Sequence, residues 1–299
     1  MSSVRVPAYA KINLWLDVLG RRADGYHEVR TVFQTISLHD TLELETTQRR
    51  GVELRIGGNA ALAAEPGRDN LVTRALEVAA RELRLRGGVR ATLRKRIPVG
   101  RGLGGGSSDA AAALLGLMRL ARKRMAPARL VEIASNLGAD VPFFLFGGRA
   151  VGVSRGDEIY PLPDLPRRTV LVVSPHDVAV PTRDAYRWLG ARLTKPADPT
   201  KLLRFCALCW STQGCGLSND FEPAVFRRHP RLAAIKRELL RRGAAEAALA
   251  GSGSAVFGIF RDPAHARRAA QGFPKDDVFV CATLSRNVYR RKLGGPAFT

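Results

Sequence analysis

Seven consecutive residues, Gly100 to Gly106, hold five glycines, and Ser107, Ser108 and Asp109 follow at the mouth of an alanine-rich stretch of helical, amphipathic character. A glycine inside a helix or strand costs about 0.5–1 kcal/mol relative to alanine, so a run this dense is a loop. Glycines at positions 100, 102, 104, 105 and 106 allow positive φ and let backbone N–H groups approach an anion with no side chain between. Ser107, Ser108 and Asp109 stand where N-cap residues belong, and the helix they open, read as residues 107–124, points its positive dipole end at the same spot. Phosphate is the ligand such a cradle fits. A turn kept for shape alone would sacrifice backbone entropy without a packing gain.

Two familiar phosphate loops do not fit. A Walker A loop needs Gly-Lys-Ser/Thr, and no lysine follows these glycines. Residues 100–105 satisfy G-x-G-x-x-G, but a dinucleotide site also needs an acidic residue about twenty positions on, where this chain has the basic run RLARKRM.

Around the loop, the chain alternates strands and helices. In AYAKINLWL, Ala8, Ala10, Ile12, Leu14 and Leu16 share one face and Tyr9, Lys11, Asn13 and Trp15 the other, which predicts a half-buried strand. A turn at Asp24-Gly25 and the strand-like TVFQTISLHDTLEL complete a hairpin, and Val52 to Ile56 adds a short strand. Apolar spacing predicts a helix over 70–85, capped by Asp69 or Asn70, then a strand over 89–97 and a helix over 128–137. The pattern breaks at Pro161, Pro163 and Pro166, and TVLVVSP opens a new apolar strand, so two domains are expected, 1–164 and 165–299. Helices over 182–190, 199–209 and 230–242, the strand AVFGIF, a helix from Ala264 and the strand VFVCATL make the second half α+β as well.

The net charge of +21 comes from 40 Arg and 8 Lys against 27 acidic residues. The cations are spread along the chain and aromatics are only 7%, which favours a basic surface that draws in anionic substrates over a stacking platform for nucleic acid. No segment has the length of a membrane span or the apolar core of a signal peptide. A cytoplasmic protein is expected, and Cys206, Cys209, Cys215 and Cys281 form no disulfide framework. Half a zinc site at Cys206-x-x-Cys209 lacks a partner pair, so buried free thiols are expected.

The stretch PVGRGLGGGSSDAA resembles the phosphate-binding motif of the GHMP kinase superfamily, and its GLGGGSSDAA form resembles the 4-diphosphocytidyl-2-C-methyl-D-erythritol kinases of the non-mevalonate isoprenoid pathway. AKINLWLDVLGRRADGYHEV, GADVPFFLFGG, SNDFEP and LAGSGSAVFGIF look like that family's other motifs, in its order, over nearly the whole chain. The resemblance implies an α+β, two-domain fold. Its N-terminal domain would be like domain 2 of ribosomal protein S5 and its C-terminal domain ferredoxin-like, with ATP and acceptor meeting in the cleft between them.

By the same resemblance, Lys11 and Asp140 match the catalytic lysine and aspartate. Read without it, both stand among apolar neighbours and pair either as a structural salt bridge or as a proton acceptor with its orienting cation. The resemblance assigns ATP to Pro98, Val99, Gly100, Arg101, Gly102, Leu103, Gly104, Gly105, Gly106, Ser107 and Ser108, with Lys95 and Asn70 near the adenine. It assigns the acceptor to Asn13, Tyr26, His27, Thr182, Tyr186, Gly251, Ser252 and Gly253. A cytosine would stack between Tyr26 and Tyr186 while His27 reads its edge. Mg is expected on the phosphates, with the Ser107 or Ser108 hydroxyl nearby. Residues 251–254 form either a second loop closing over the phosphate or a plain turn, and Asn219 and Asp220 are expected to cap the helix that Pro223 enters.

Two features depart from the family pattern. Arg101 stands where a small residue is usual and would add a cation beside the phosphates, and the basic segment 286–299 matches nothing. The partners implied are ATP and a small cytidine diphosphate substrate, with no specific nucleic acid or membrane and a monomer or homodimer. Two alternatives remain: a GHMP kinase for another small alcohol such as homoserine or mevalonate, or a basic S5-like RNA-binding protein.

Overall fold

The computed structural model describes residues 3–58, 70–190, 199–210 and 216–294. Two long strands, β1 (Ser3–Arg21) and β2 (His27–Thr47), form an antiparallel hairpin closed by the turn at Asp24-Gly25, where Gly25 takes a φ of +86°. β3 (Val52–Gly58), α1 (Leu71–Glu82) and β4 (Gly88–Lys95) follow as a crossover unit in which the two strands run parallel. β4 then pairs with residues 41–47 of β2, giving the order β3-β4-β2-β1. Residues 31–34 of β2 pair with β5 (Arg149–Val153), which pairs with β6 (Glu158–Pro161).

The expectation of a half-buried β1 is corrected, because every residue from Ala8 to Val18 is buried. Register shifts at Tyr9/Lys11, Asn13/Trp15 and Val18/Gly20 break the simple two-residue phase, so this strand feeds three apolar clusters in succession. Its face beyond the sheet is covered by α2 (Gly105–Ala121), whose residues from Ser108 to Met118 are all buried. The amphipathic reading of that helix is therefore also corrected. Alanines at 110–113 and Gly116 permit the close approach: a Cβ at Gly116 would stand 2.8 Å from Leu44 and 3.0 Å from Val6. α1, α3 (Pro127–Leu137) and the short α4 (Phe143–Phe146) complete this layer.

The second sheet is made of β7 (Thr169–Pro175), β9 (Glu246–Leu249), β10 (Val256–Phe260) and β11 (Asp276–Ala282) in the order β11-β7-β10-β9, every pair antiparallel. Numbered within this half, the order is 4-1-3-2, the ferredoxin-like arrangement expected. Its apolar cluster draws on α5 (Thr182–Leu189), α7 (Glu222–Arg228), α8 (Pro230–Arg241) and α9 (Pro263–Ala270).

Three connections knit the halves together. Trp15 and Leu16 of β1 pair in parallel with β8 (Ser218–Asn219), and Phe205 of α6 (Pro199–Trp210) packs edge-on against Trp15. The third is α10 (Arg286–Leu293), the basic segment that matched nothing: it returns to the first half, where Tyr289 and Leu293 join the α2 cluster. The Tyr289 hydroxyl donates to the Phe144 carbonyl. Among the described residues no helix is long and apolar enough to cross a membrane, and no group of three or more metal-ligating side chains gathers. Cys206, Cys209 and Cys281 are free thiols, but only Cys281 is buried, Cys206 being exposed and Cys209 half-buried, so the expectation of buried thiols is corrected there; Cys215 lies outside the described residues.

Candidate active site

A cleft of about 1600 Å³ runs between the two halves, and both glycine loops line it. In the first loop, Gly100, Gly102 and Gly104 take φ values of +69°, +78° and +71°, which side chains resist. Gly105 and Gly106 do not; they already belong to α2. The N-cap is Gly104, with no side-chain cap, so the capping role expected of Ser107, Ser108 and Asp109 is corrected to places inside the first turns. The first-turn N–H groups consequently have no side chain competing for them and remain directed at the cleft. Ser107 lines the cleft, whereas Ser108 is buried beneath it with its hydroxyl unpartnered.

Lys11 lies between the loops. Its side chain runs past Gly104, where a Cβ would stand 3.0 Å from Lys11 Cγ, and a Cβ at Gly251 would stand 3.4 Å from its Nζ. Lys11 N donates to Leu103 O at 3.0 Å, which ties the strand to the loop. Nζ donates to Asn13 Oδ1 at 2.8 Å and stands 3.6 Å from Asp140 Oδ2. The Asn13 amide donates in turn to Thr31 Oγ1, and Thr31 donates to Trp15 O. Only one member of the charged pair is buried: the Lys11 side chain is 5% exposed and that of Asp140 35%. Val141, Phe143 and Phe144 are buried, and they anchor the turn that presents Asp140 to the cleft. Its apolar sequence neighbours are thus its support, not its surroundings.

Lys95, expected near the adenine, lines the cleft but has its amine engaged by carboxylates. Its Nζ is buried between Asp40 (2.5 Å) and Asp109 (2.7 Å), and Asp40 Oδ1 also accepts from Arg96 N and, at 2.8 Å, Ile97 N. Burial alone would lower the Lys95 pKa, but the two carboxylates override it and hold the amine above the usual lysine range. Asp109 is pushed well up by burial, with the Asp40 charge adding and Lys95 opposing. This cluster ties α2 to β4 and to β2 directly under the phosphate loop. Gly105 is small for the same reason, since a Cβ would stand 3.0 Å from Ile97 and 3.4 Å from Lys95 Nζ. Asn70 lines the cleft and caps α1 by accepting from Val72 N at 2.9 Å, worth about 1 kcal/mol; Asp69, the other candidate cap, lies outside the described residues.

Arg101 does not turn towards the phosphate side of its loop. Its guanidinium reaches into the second half, donating to Ser254 Oγ at 2.7 Å and to the Val178 carbonyl. Burial lowers its pKa and Asp277 opposes that shift.

At the acceptor end, Tyr26 is 55% exposed with the Arg155 guanidinium 5.0 Å from its ring centroid. What stacks on Tyr186 is His27, at 4.4 Å and 20°, while Phe221 meets Tyr186 edge to face. A base clamped between Tyr26 and Tyr186 therefore has to share or displace the His27 ring. Burial and, second, the Asp140 charge push the Tyr186 phenol up to about 12. Burial first and Arg21 second hold His27 below its ordinary 6.5. Thr182 Oγ1 and Ser252 Oγ are 3.1 Å apart, so α5 is joined to the second loop.

Gly251 and Ser252 line the cleft, but Gly253 does not. That loop is held from below by Asn219, whose amide donates to Leu249 O and Gly251 O, both at 2.8 Å. Asn219 Oδ1 accepts from Phe221 N, but Phe221 is itself the N-cap of α7 and no side chain caps that helix, so the capping expected of Asn219 and Asp220 is corrected; Asp220 accepts from Val18 N and pairs with Lys201. Four supporting residues were not anticipated: Thr31, Asp40, Asp109 as an ion-pair partner, and Asn219 as the brace of the second loop. Asp40 had a legible signal. It shares the inward phase of Ile36, Leu38, Leu42 and Leu44, just as Lys95 shares that of Val89, Ala91 and Leu93.

Residues 70–148 match the family described as GHMP kinases N terminal domain, and residues 202–276 match GHMP kinases C terminal. A 4-diphosphocytidyl-2-C-methyl-D-erythritol kinase of Solibacter usitatus is 46% identical over 288 residues, covering 95% of this chain and 89% of the relative. A crystal structure of 4-(cytidine 5'-diphospho)-2C-methyl-D-erythritol kinase superposes with a TM-score of 0.79 at 36% identity, over 94% of this chain and 99% of that one. A homoserine kinase from Cytophaga hutchinsonii shares the fold, with a TM-score of 0.72 at 19% identity over 95% of each chain.

Proposed function

Since the chain belongs to the 4-diphosphocytidyl-2-C-methyl-D-erythritol kinases of the GHMP superfamily, we propose the following account of its chemistry. The protein is a phosphotransferase with an alcohol acceptor and ATP as co-substrate. It moves the γ-phosphate of ATP to the 2-hydroxyl of 4-diphosphocytidyl-2-C-methyl-D-erythritol, giving the 2-phosphate and ADP, in non-mevalonate isoprenoid precursor synthesis.

The observation that carries the mechanism is Asp140 open to the cleft and 3.6 Å from a buried Lys11 that both glycine loops enclose. Asp140 takes the proton of the acceptor hydroxyl as its oxygen bonds to the γ-phosphorus, and the bond from that phosphorus to the bridging oxygen breaks to release ADP. Lys11, held by Asn13, orients the carboxylate and neutralises charge on the transferring group. The N–H groups of the first loop and the α2 N-terminus hold the phosphates. Mg enters with ATP as part of that substrate. The cleft-side donors on this chain, the Asp140 carboxylate and the Ser107 hydroxyl, are hard oxygens of the type it prefers.

Tyr26, His27 and Tyr186 favour an acceptor that carries a base over homoserine or mevalonate, which offer nothing to stack. The Arg-rich surface draws these anions in and has no sequence-specific nucleic-acid role. We read the domains as 1–164 and 165–299, with α10 docked back on the first, in a cytoplasmic monomer or homodimer. The test is ADP release with ATP and a panel of alcohols, no nucleic acid being present. Turnover should require the cytidine-bearing acceptor, and CMP should compete with it. Equal turnover of homoserine or mevalonate, or no competition by CMP at millimolar concentration, refutes the reading.

A further inference from the structure

We infer that Arg101 is a positioning residue that couples the ATP loop to the acceptor helix, so that each substrate strengthens binding of the other. The inference rests on the kinase reading above. The Arg101 guanidinium lies within hydrogen-bonding distance of three acceptors in the second half: the Val178 carbonyl, Ser254 Oγ at 2.7 Å, and His176 O at 3.4 Å. Ser254, fully buried, donates its own hydroxyl to Val178 O at 2.7 Å, and Ala255 N returns a bond to Arg101 O at 3.2 Å.

The segment so held leads into α5. Val178 and Val180 are buried in the second core, and Thr182 and Tyr186 at the acceptor end follow within two turns. On its other side the loop is bonded to the catalytic strand, through Leu103 O and Lys11 N. The three residues Arg101 to Leu103 therefore connect the phosphate cradle, Lys11 and the base of α5 in one bonded unit. A displacement of the loop when phosphates bind must pull on α5, and by thermodynamic linkage the converse holds.

The planar fork matters here, because one terminal nitrogen serves the Val178 carbonyl and Ser254 Oγ while the other faces His176 O, a spread between two nitrogens that a lysine's single nitrogen does not reproduce. The expected coupling is in the range of about 5- to 150-fold.

The experiment is calorimetric titration of 4-diphosphocytidyl-2-C-methyl-D-erythritol into the full chain, with and without a non-hydrolysable ATP analogue and Mg. In the unmodified protein the analogue should tighten acceptor binding at least fivefold. In Arg101→Ala the ratio should collapse towards one, and Arg101→Lys should fall between. A general loss of stability would leave that ratio unmoved. If Arg101→Ala does not fold, Ser254→Ala removes a shared acceptor and gives the same readout. A ratio near one in the unmodified protein, or an undiminished ratio in the variants, overturns the inference while leaving the kinase reading intact. Failure of the unmodified protein to bind or phosphorylate the acceptor overturns the kinase reading itself.

Discussion

Gly102→Ala isolates what the contact between the two glycine loops contributes. A Cβ there would sit 1.8 Å from Ala250 O, 2.7 Å from Ala250 C and 3.2 Å from Gly253 N. Carbon and oxygen settle no closer than about 3.3 Å, so the loops must separate by about 1.5 Å. The movement carries Gly251 away from Lys11 Nζ, and a misplacement of about 1 Å at a reacting centre costs about 10²-fold in rate, or about 2.7 kcal/mol of barrier. The residue's φ of +78° adds about 1–2 kcal/mol of backbone strain, which by itself affects stability. Gly100→Ala is the control: its φ is +69°, but an added Cβ meets nothing within 4 Å, so it bears the strain without the collision. Thermal unfolding and steady-state kcat by coupled ADP detection should find both variants folded and modestly destabilised, with Gly102→Ala slower than Gly100→Ala by about 10²-fold. If the two values of kcat agree within about threefold, loop apposition does not organise the site, and the reasoning fails.

Asp140→Asn keeps shape and removes the base, so kcat should fall by about 10²- to 10⁴-fold with little change in KM, and Lys11→Met should add little in the double variant. A near-normal kcat in folded Asp140→Asn would leave Asp140 a structural partner of Lys11. Lys95→Met strands two buried carboxylates and should cost about 3–5 kcal/mol in urea unfolding at neutral pH. That cost arises in large part from Asp109, whose folded pKa is raised by burial, so it should shrink as pH falls towards the unfolded value near 4 and lessen with Asp109→Asn added; a pH-independent loss would point to packing instead. His27 has its folded pKa below 6.5, which means the unfolded state binds the proton more readily and protonation opposes the native stack on Tyr186. CMP affinity should therefore be flat above pH 6.5 and weaken only below it, and an affinity already falling between pH 8 and 7 would exclude the neutral-ring arrangement.

Much of this was legible in one dimension because local rules suffice for it. The glycine-serine run announces an anion cradle through backbone sterics and the helix dipole alone, and hydrophobic periods of two and 3.6 locate most strands and helices to within a few residues. Motif order points to the family, and the resemblance draws attention to Lys11, Asp140 and the aromatic end of the cleft. What the sequence could not decide depends on groups distant along the chain. Whether β1 is covered on one face or two depends on α2 and on the second half packing over it, and periodicity cannot count layers. Ser107 to Asp109 read as caps because the cap preference is local, yet Gly104 takes that place where Lys11 and Phe144 leave no room for a side chain. Lys95 read as a neighbour of the adenine, and strand register set it beside Asp40; Arg101 read as a phosphate ligand until the second half offered its guanidinium a carbonyl and a hydroxyl. The sequence alone therefore determined the chemistry available and the elements that carry it. Tertiary structure decided which charges are buried, what they pair with and which loops touch, because Lys95 and Arg101 each meet a partner that lies far along the chain, 55 residues away for Asp40 and 153 for Ser254.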